Sequence, residues 1–253
     1  MRIAEARFAT RRLDEQKAFY GGALGLPPLE DDGRIAAFGV GDSRLVFAEA
    51  EGGGDEPMYH FAFDVPRNKL SEAKAWLAKR GVLLERDGRD EFEFPSWNAT
   101  AAYFRDPAGN VVELIARRNL PNDSGVPFGP GDLLRVSEVG VAVGDVPTAV
   151  RGLERDLGLE VWNEPNEEFT TVGDEEGLLI VVKCGRPWFP TGEAARPHPV
   201  VVVARGDREA SHAPPNQGYR IVECVRDPER VNGAGAELPP GSAGSDPTSS
   251  SRS

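Results

Sequence analysis

Apolar and polar residues alternate over residues 3–10, the period of a strand with two differently used faces. Residues 13–20 then change to helical spacing, and Gly21-Gly22 followed by Pro27-Pro28 ends that helix. Two further strands are predicted over 34–40 and 44–48, turning at Gly41-Asp42, with a short strand over 28–30. The result is one βαβββ half. After the connection Gly52-Gly53-Gly54-Asp55-Glu56-Pro57 the same order returns: a strand over 59–65, an amphipathic helix over 70–80 with Leu70, Ala73, Trp76 and Leu77 inward, and strands over 82–86, 92–94, 99–104 and 111–116.

A third copy follows the Pro/Gly-rich stretch 121–131. It has a strand over 134–143, a helix over 147–156 opened by proline, an exit at Gly158-Leu159 that repeats Gly25-Leu26, and strands over 169–172 and 178–182. A fourth is eroded: 199–204 and 219–225 are β runs, but 205–218 is too short and polar for a helix and further strands. The expected division is a complete module pair over 1–118, a linker over 119–131, a second, degenerate pair over 132–226, and a disordered tail over 227–253 rich in Gly, Ser and Pro.

A chain of 253 residues with 40% hydrophobic content can build real cores without staples. Cys184 and Cys224 have neither CxxC nor zinc-type spacing, which argues against a disulfide framework or a structural zinc. No apolar run approaches a membrane span, and the first residues open directly into a strand, so a cytoplasmic protein without membrane contact is expected. A net charge of −12 argues against nucleic acid as partner. No serine-hydrolase elbow, phosphate-binding loop or dinucleotide fingerprint is present; Gly52-Gly53-Gly54 lacks the strand and helix such a loop needs.

The chemistry concentrates in Tyr103-Phe104-Arg105-Asp106-Pro107-Ala108-Gly109-Asn110-Val111-Val112-Glu113-Leu114-Ile115, which reads as strand, tight turn and strand. Alternation puts Glu113 on one face with Val111 and Ile115, where a lone carboxylate is costly unless it is paired or bound to a metal. This run closely resembles the closing hairpin of the vicinal oxygen chelate superfamily, which includes glyoxalase I, extradiol dioxygenases, and fosfomycin and bleomycin resistance proteins. The resemblance implies an α+β fold of repeated βαβββ modules, paired into a cup-shaped mixed sheet, with a truncated second pair.

It also implies that Glu113 is a metal ligand and that His60, on the first strand of the same unit, is another. The bland reading of His60 is a buried histidine bonded to a carbonyl. Matching the first half to the second sets Glu5 against His60 and Leu45 against Glu113, so the implied set is Glu5, His60 and Glu113; the alternative for Glu5 is an ion pair with Arg7. These donors suit one divalent ion of Zn, Mn, Fe, Co or Ni. Glu113 and Glu5 are the candidate catalytic carboxylates, and Arg7, Trp97, Asn98 and Tyr103 candidate pocket residues. Glu138, His198 and Glu223 repeat the pattern as a vestigial second site. Residues 185–191, with Trp188 and Phe189, read as a docking loop, a flap over the first cup or packing between modules.

The implied function is a metal-dependent, glyoxalase-like lyase or isomerase acting on a small oxygen-rich molecule, in a monomer or homodimer. The alternatives are a ring-cleaving extradiol dioxygenase and a metal-free small-molecule binding or resistance protein.

Overall fold

The structure is a computed structural model that describes residues 1–81, 83–225 and 237–239. The first repeat holds β1 (Arg2–Thr10), a short helix α1 (Leu13–Gln16) that widens into a π-helical segment (Lys17–Ala23), β2 (Pro28–Asp31), β3 (Ile35–Val40) and β4 (Ser43–Glu49). The second holds β5 (His60–Asp64), α2 (Leu70–Leu77), β6 (Phe92–Phe94), β7 (Ala99–Arg105) and β8 (Val111–Arg117). The third has β9 (Arg135–Val143), α3 (Val146–Leu157), β10 (Phe169–Asp174) and β11 (Gly177–Lys183). The fourth keeps only β12 (Val200–Arg205), β13 (Ala210–His212) and β14 (Tyr219–Cys224), with no helix among its described residues.

These strands form two mixed seven-stranded sheets, in the orders β13-β14-β12-β1-β4-β3-β2 and β10-β11-β9-β5-β8-β7-β6. The first repeat therefore pairs with the fourth, through antiparallel β1 and β12, and the second with the third, through antiparallel β5 and β9. This departs from the expected pairing within 1–118 and within 132–226. The connection over 118–134 carries the chain back so that β9 lies beside β5, with the Leu134 amide donating to the Asp64 carbonyl at 2.9 Å, and the free side of β1 is taken by β12.

One apolar core lies between the sheets, uniting Phe8 and Phe47 of the first with Phe61, Phe63 and Leu114 of the second; the rings of Phe8 and Phe61 stack at 4.7 Å. Polar ties cross the same seam. The Ser43 hydroxyl donates to the Ile3 carbonyl at 2.6 Å and accepts from the Val136 amide at 3.0 Å, while the Tyr59 hydroxyl donates to the Pro199 carbonyl at 2.8 Å.

The turn between β7 and β8 is held by Asp106. Its carboxylate accepts from the Asn110 amide and side chain (3.0 and 2.7 Å), from Gln16 Nε2 (2.7 Å) and from the Tyr20 hydroxyl (3.0 Å). Gly109 supplies the left-handed φ of 85° that reverses the chain. α3 is capped by Asp145, whose side chain accepts from the Thr148 amide at 2.7 Å, and ends at Gly158 in the left-handed conformation.

One local expectation changes. In the segment 82–86, the described residues make only isolated bridges, Leu83 with Phe104 and Arg86 with Arg89, where Asp87 and Gly88 turn the chain with positive φ; Val82 lies outside the described residues. Of the tail 227–253 only 237–239 is described, and Leu238 there packs against Val201, Val203 and Cys224. Cys184 is exposed and Cys224 is buried. No helix among the described residues is long and apolar enough to cross a membrane.

Candidate metal centre

Register brings the candidate ligands together. In the parallel pair β5 and β8, His60 lies opposite Val111 and Ala62 opposite Glu113; across the other side of β5, Ala62 faces Glu138 of β9. Since alternate residues share a face, His60, Glu113 and Glu138 all project from the second sheet away from the core shared with the first. The His60 Nε2 atom is 3.6 Å from Glu113 Oε2 and 4.0 Å from Glu138 Oε2, and one ligand atom from each residue falls within 4.8 Å of the others. All three side chains are buried.

Burial sets their protonation. His60 Nδ1 donates to the Val111 carbonyl at 3.0 Å, which leaves Nε2 as a lone-pair donor facing the carboxylates. Desolvation lowers the His60 pKa to about 4, so its contacts with the two glutamates are those of a neutral imidazole. Burial raises Glu113 well above the usual carboxylate range, and the neighbouring Glu138 adds to the rise, against a hydrogen bond from the Tyr103 hydroxyl. Burial raises Glu138 as well, opposed by Arg117.

Arg117 is fully buried at the end of β8, two alternations beyond Glu113 on the same face. Its Nη2 donates to Glu138 Oε1, its Nε lies 3.6 Å from Asp64 Oδ1, and its guanidinium sits 5.5 Å from the ring of Trp97 and 5.6 Å from that of Trp162. Asp64 also faces Arg135 Nε at 3.3 Å, yet desolvation raises its carboxyl to about 7.

The loop after β11 covers the centre. The Trp188 ring lies 5.1 Å from that of His60, and Phe189 packs on Tyr103 at 5.5 Å and Phe92 at 4.8 Å. Arg105 Nη2 holds the same loop through Glu193 at 2.8 Å. Gly140 is required beneath it, because a Cβ there would stand 2.7 Å from Trp188 Cη2 and 3.0 Å from the His60 carbonyl oxygen.

Two of the three residues matched by sequence, His60 and Glu113, meet here. Glu5 does not. It lies in the first sheet, buried against Arg7 Nη2 at 3.1 Å and Arg44 Nε at 3.3 Å, so the ion-pair alternative describes it. Glu138, expected in a separate vestigial site, stands in the third position because β9 pairs with β5 instead of with the fourth repeat. Its supposed partners are elsewhere: His198 packs 5.7 Å from the Tyr59 ring, and Glu223 pairs with Arg208 at 3.3 Å.

The match of Leu45 to Glu113 was one residue out of phase. Leu45 pairs with Ala6 and is buried in the core; Val46, opposite Arg7, shares the face of Glu5. In the second sheet Leu178 lies opposite Glu138, so the place equivalent to Glu113 two residues on belongs to Ile180, which cannot coordinate. Of the pocket candidates, Tyr103 bonds Glu113 and Trp97 packs on Arg117, whereas Arg7 is in the other sheet and Asn98 is exposed, its amide donating to Asn119 Oδ1 at 2.6 Å. Sequence reasoning missed Arg117, although its parity with Glu113 along the strand was a usable signal.

Residues 2–114 match the model of the Glyoxalase/Bleomycin resistance protein/Dioxygenase superfamily. The fold as a whole is similar to glyoxalase I from Zea mays, at 18% identity and a TM-score of 0.55 over 88% of this chain and 91% of that one. It is also similar to a glutamate-to-glutamine variant of that enzyme (16%, TM-score 0.57, 88% and 92% covered) and to a supposed dioxygenase from Bacillus subtilis (16%, TM-score 0.54, 89% and 86% covered). At such identities the likeness is one of fold. Comparison with curated proteins returns no match.

Proposed function

We propose that the protein is a metal-dependent enzyme of the glyoxalase-like kind, a lyase or isomerase acting on a small molecule through two adjacent oxygens. The observation that carries this reading is the convergence of His60 Nε2, Glu113 and Glu138 within 4.8 Å. One imidazole and two carboxylates are a fitting set for a divalent ion such as Zn, Mn, Fe, Co or Ni, and the Val111 carbonyl already fixes the histidine in the ligating tautomer. A divalent ion would offset both buried carboxylates and act as a Lewis acid on the substrate oxygens.

The chain's own groups supply the rest. Glu113, whose affinity for a proton burial has raised, is suited to take a proton from a carbon beside a carbonyl and return it to the neighbouring carbon. Tyr103 orients that carboxylate, and Trp188 and Phe189 keep water from the centre. A ring-cleaving dioxygenase is disfavoured by the donors themselves: Fe(II) oxygenases use two histidines and one carboxylate, the inverse of this set.

The test is metal analysis of the purified protein, followed by deuterium exchange from solvent into small α-hydroxycarbonyl compounds, read by NMR. Stoichiometric metal with exchange supports the proposal. Metal with oxygen uptake on catechol would favour the dioxygenase. Absence of metal binding would favour a binding protein, a second reading that the Arg117 contact to Glu138 makes concrete, because a guanidinium already supplies one cation there.

A further inference from the structure

We infer that Arg117 is an internal counter-cation of the metal centre: it stands in for part of the ion's charge when the centre is empty, orients Glu138 for ligation, and weakens metal binding enough to make loading reversible. The inference rests on the metal-centre reading above and extends it to regulation of the same site.

Arg117 is fully buried, a position a guanidinium holds only when charge and hydrogen bonding compensate its lost hydration. The compensation is incomplete on every side but one. Nη2 donates to Glu138 Oε1, whereas Nη1 and Nε make no hydrogen bond, and Asp64, at 3.6 Å from Nε, is shared with Arg135. The indoles of Trp97 and Trp162 attract the cation without forming a hydrogen bond to it. Arg117 is thus committed chiefly to Glu138.

The two oxygens of Glu138 divide the work. Oε1 receives Arg117, and Oε2 is the atom 4.0 Å from His60 Nε2, so the guanidinium turns a single oxygen toward the ligand set and disfavours chelation by both. The centre brings two carboxylates, Glu113 and Glu138, together beside this one guanidinium. An arriving divalent ion gains both carboxylates but must do so in the field of Arg117, and at low dielectric one unit charge across a few ångströms weighs heavily. Removing that charge while keeping the side chain polar should therefore destabilise the empty protein and strengthen metal binding. A merely structural arginine would lower the stability of the empty and loaded protein alike.

The full chain, stripped of metal, would be titrated with Zn²⁺ alone against a chromophoric chelator, and its melting temperature recorded with and without the ion. Arg117→Gln should bind Zn²⁺ about tenfold or more tighter than wild type, melt lower when empty, and gain more degrees on loading. Arg117→Lys should stay near wild type in affinity, and Asp64→Asn, which leaves Arg117 to Glu138 and at pH 8 removes a negative charge, should there bind several-fold more weakly. If Arg117→Gln folds only when Zn²⁺ is present during refolding, the affinity of Asp64→Asn decides: weaker binding than wild type supports the inference, and equal or tighter binding overturns it.

Zinc binding by wild type with equal or weaker binding by Arg117→Gln overturns the counter-cation and spares the metal reading. Binding by Arg117→Gln alone keeps the counter-cation and overturns the resident metal. Binding by neither overturns both.

Discussion

The Nδ1 atom of His60 lies 3.0 Å from the carbonyl oxygen of Val111, its partner across the parallel pair β5 and β8. A carbonyl only accepts, so Nδ1 carries the proton and Nε2 is left bare beside two glutamates. This one bond leaves a buried histidine with the free lone pair that the proposed metal centre requires. The same register that creates it also delivers Glu113 beside the ring.

Glu113→Gln should abolish metal binding and raise the stability of the metal-free protein. Burial has pushed this carboxyl's pKa above its unfolded value, so its ionised form opposes folding at neutral pH; a neutral amide of the same shape removes that opposition. The expected gain is on the order of 1 kcal/mol in denaturant unfolding at pH 7, with no further change on adding Zn²⁺. A loss of stability would mean that Glu113 is held by interactions the geometry does not contain.

Metal uptake should release protons, and more of them at pH 6 than at pH 8. The protons come from Glu113 and Glu138, both raised by burial, and not from His60, whose pKa of about 4 leaves it neutral throughout this range. Affinity should therefore rise with pH as the carboxylates lose their protons. Calorimetry in buffers of different ionisation enthalpy measures the release; a proton count independent of pH would count against the assignment.

Gly140→Ala should cost about 1–3 kcal/mol and displace the covering loop. The new Cβ would stand 2.7 Å from Trp188 Cη2, and the buried ring cannot withdraw without opening the cavity over His60. Tryptophan emission should shift to the red and quench more readily with acrylamide, whereas unchanged emission and stability would show that the loop is not seated there.

Asp106→Ala should destabilise the protein by about 3 kcal/mol, because donors on Gln16, Tyr20 and Asn110 lose their common acceptor in the interior. The Asn110 side chain also anchors the entry to β5 through the Tyr59 amide at 2.8 Å, so the metal centre should loosen together with the turn. Equilibrium unfolding and Zn²⁺ affinity, measured on the same variant, test both parts.

The repeated βαβββ order was legible because strand and helix periods, turn residues and the hairpin 103–115 are local signals. Sheet partnership was not. Which of four similar first strands lies beside which depends on connections and on a core shared by Phe8 and Phe61, and no local pattern encodes that choice. Glu138 was consequently recognised as ligand-like but assigned to the wrong constellation, and Glu5 was preferred although Arg7, two residues away on the same face, offered a partner. Leu45 shows the penalty of a one-residue phase error: on a strand it exchanges the core for the ligand face.

The central claim is that Glu138, and not Glu5, completes the site of His60 and Glu113. Metal content after loading and exhaustive dialysis, compared among wild type, Glu138→Gln and Glu5→Gln, tests it most directly. The account predicts equal stoichiometric metal in wild type and Glu5→Gln, and its loss in Glu138→Gln. Retention by Glu138→Gln with loss in Glu5→Gln would contradict it.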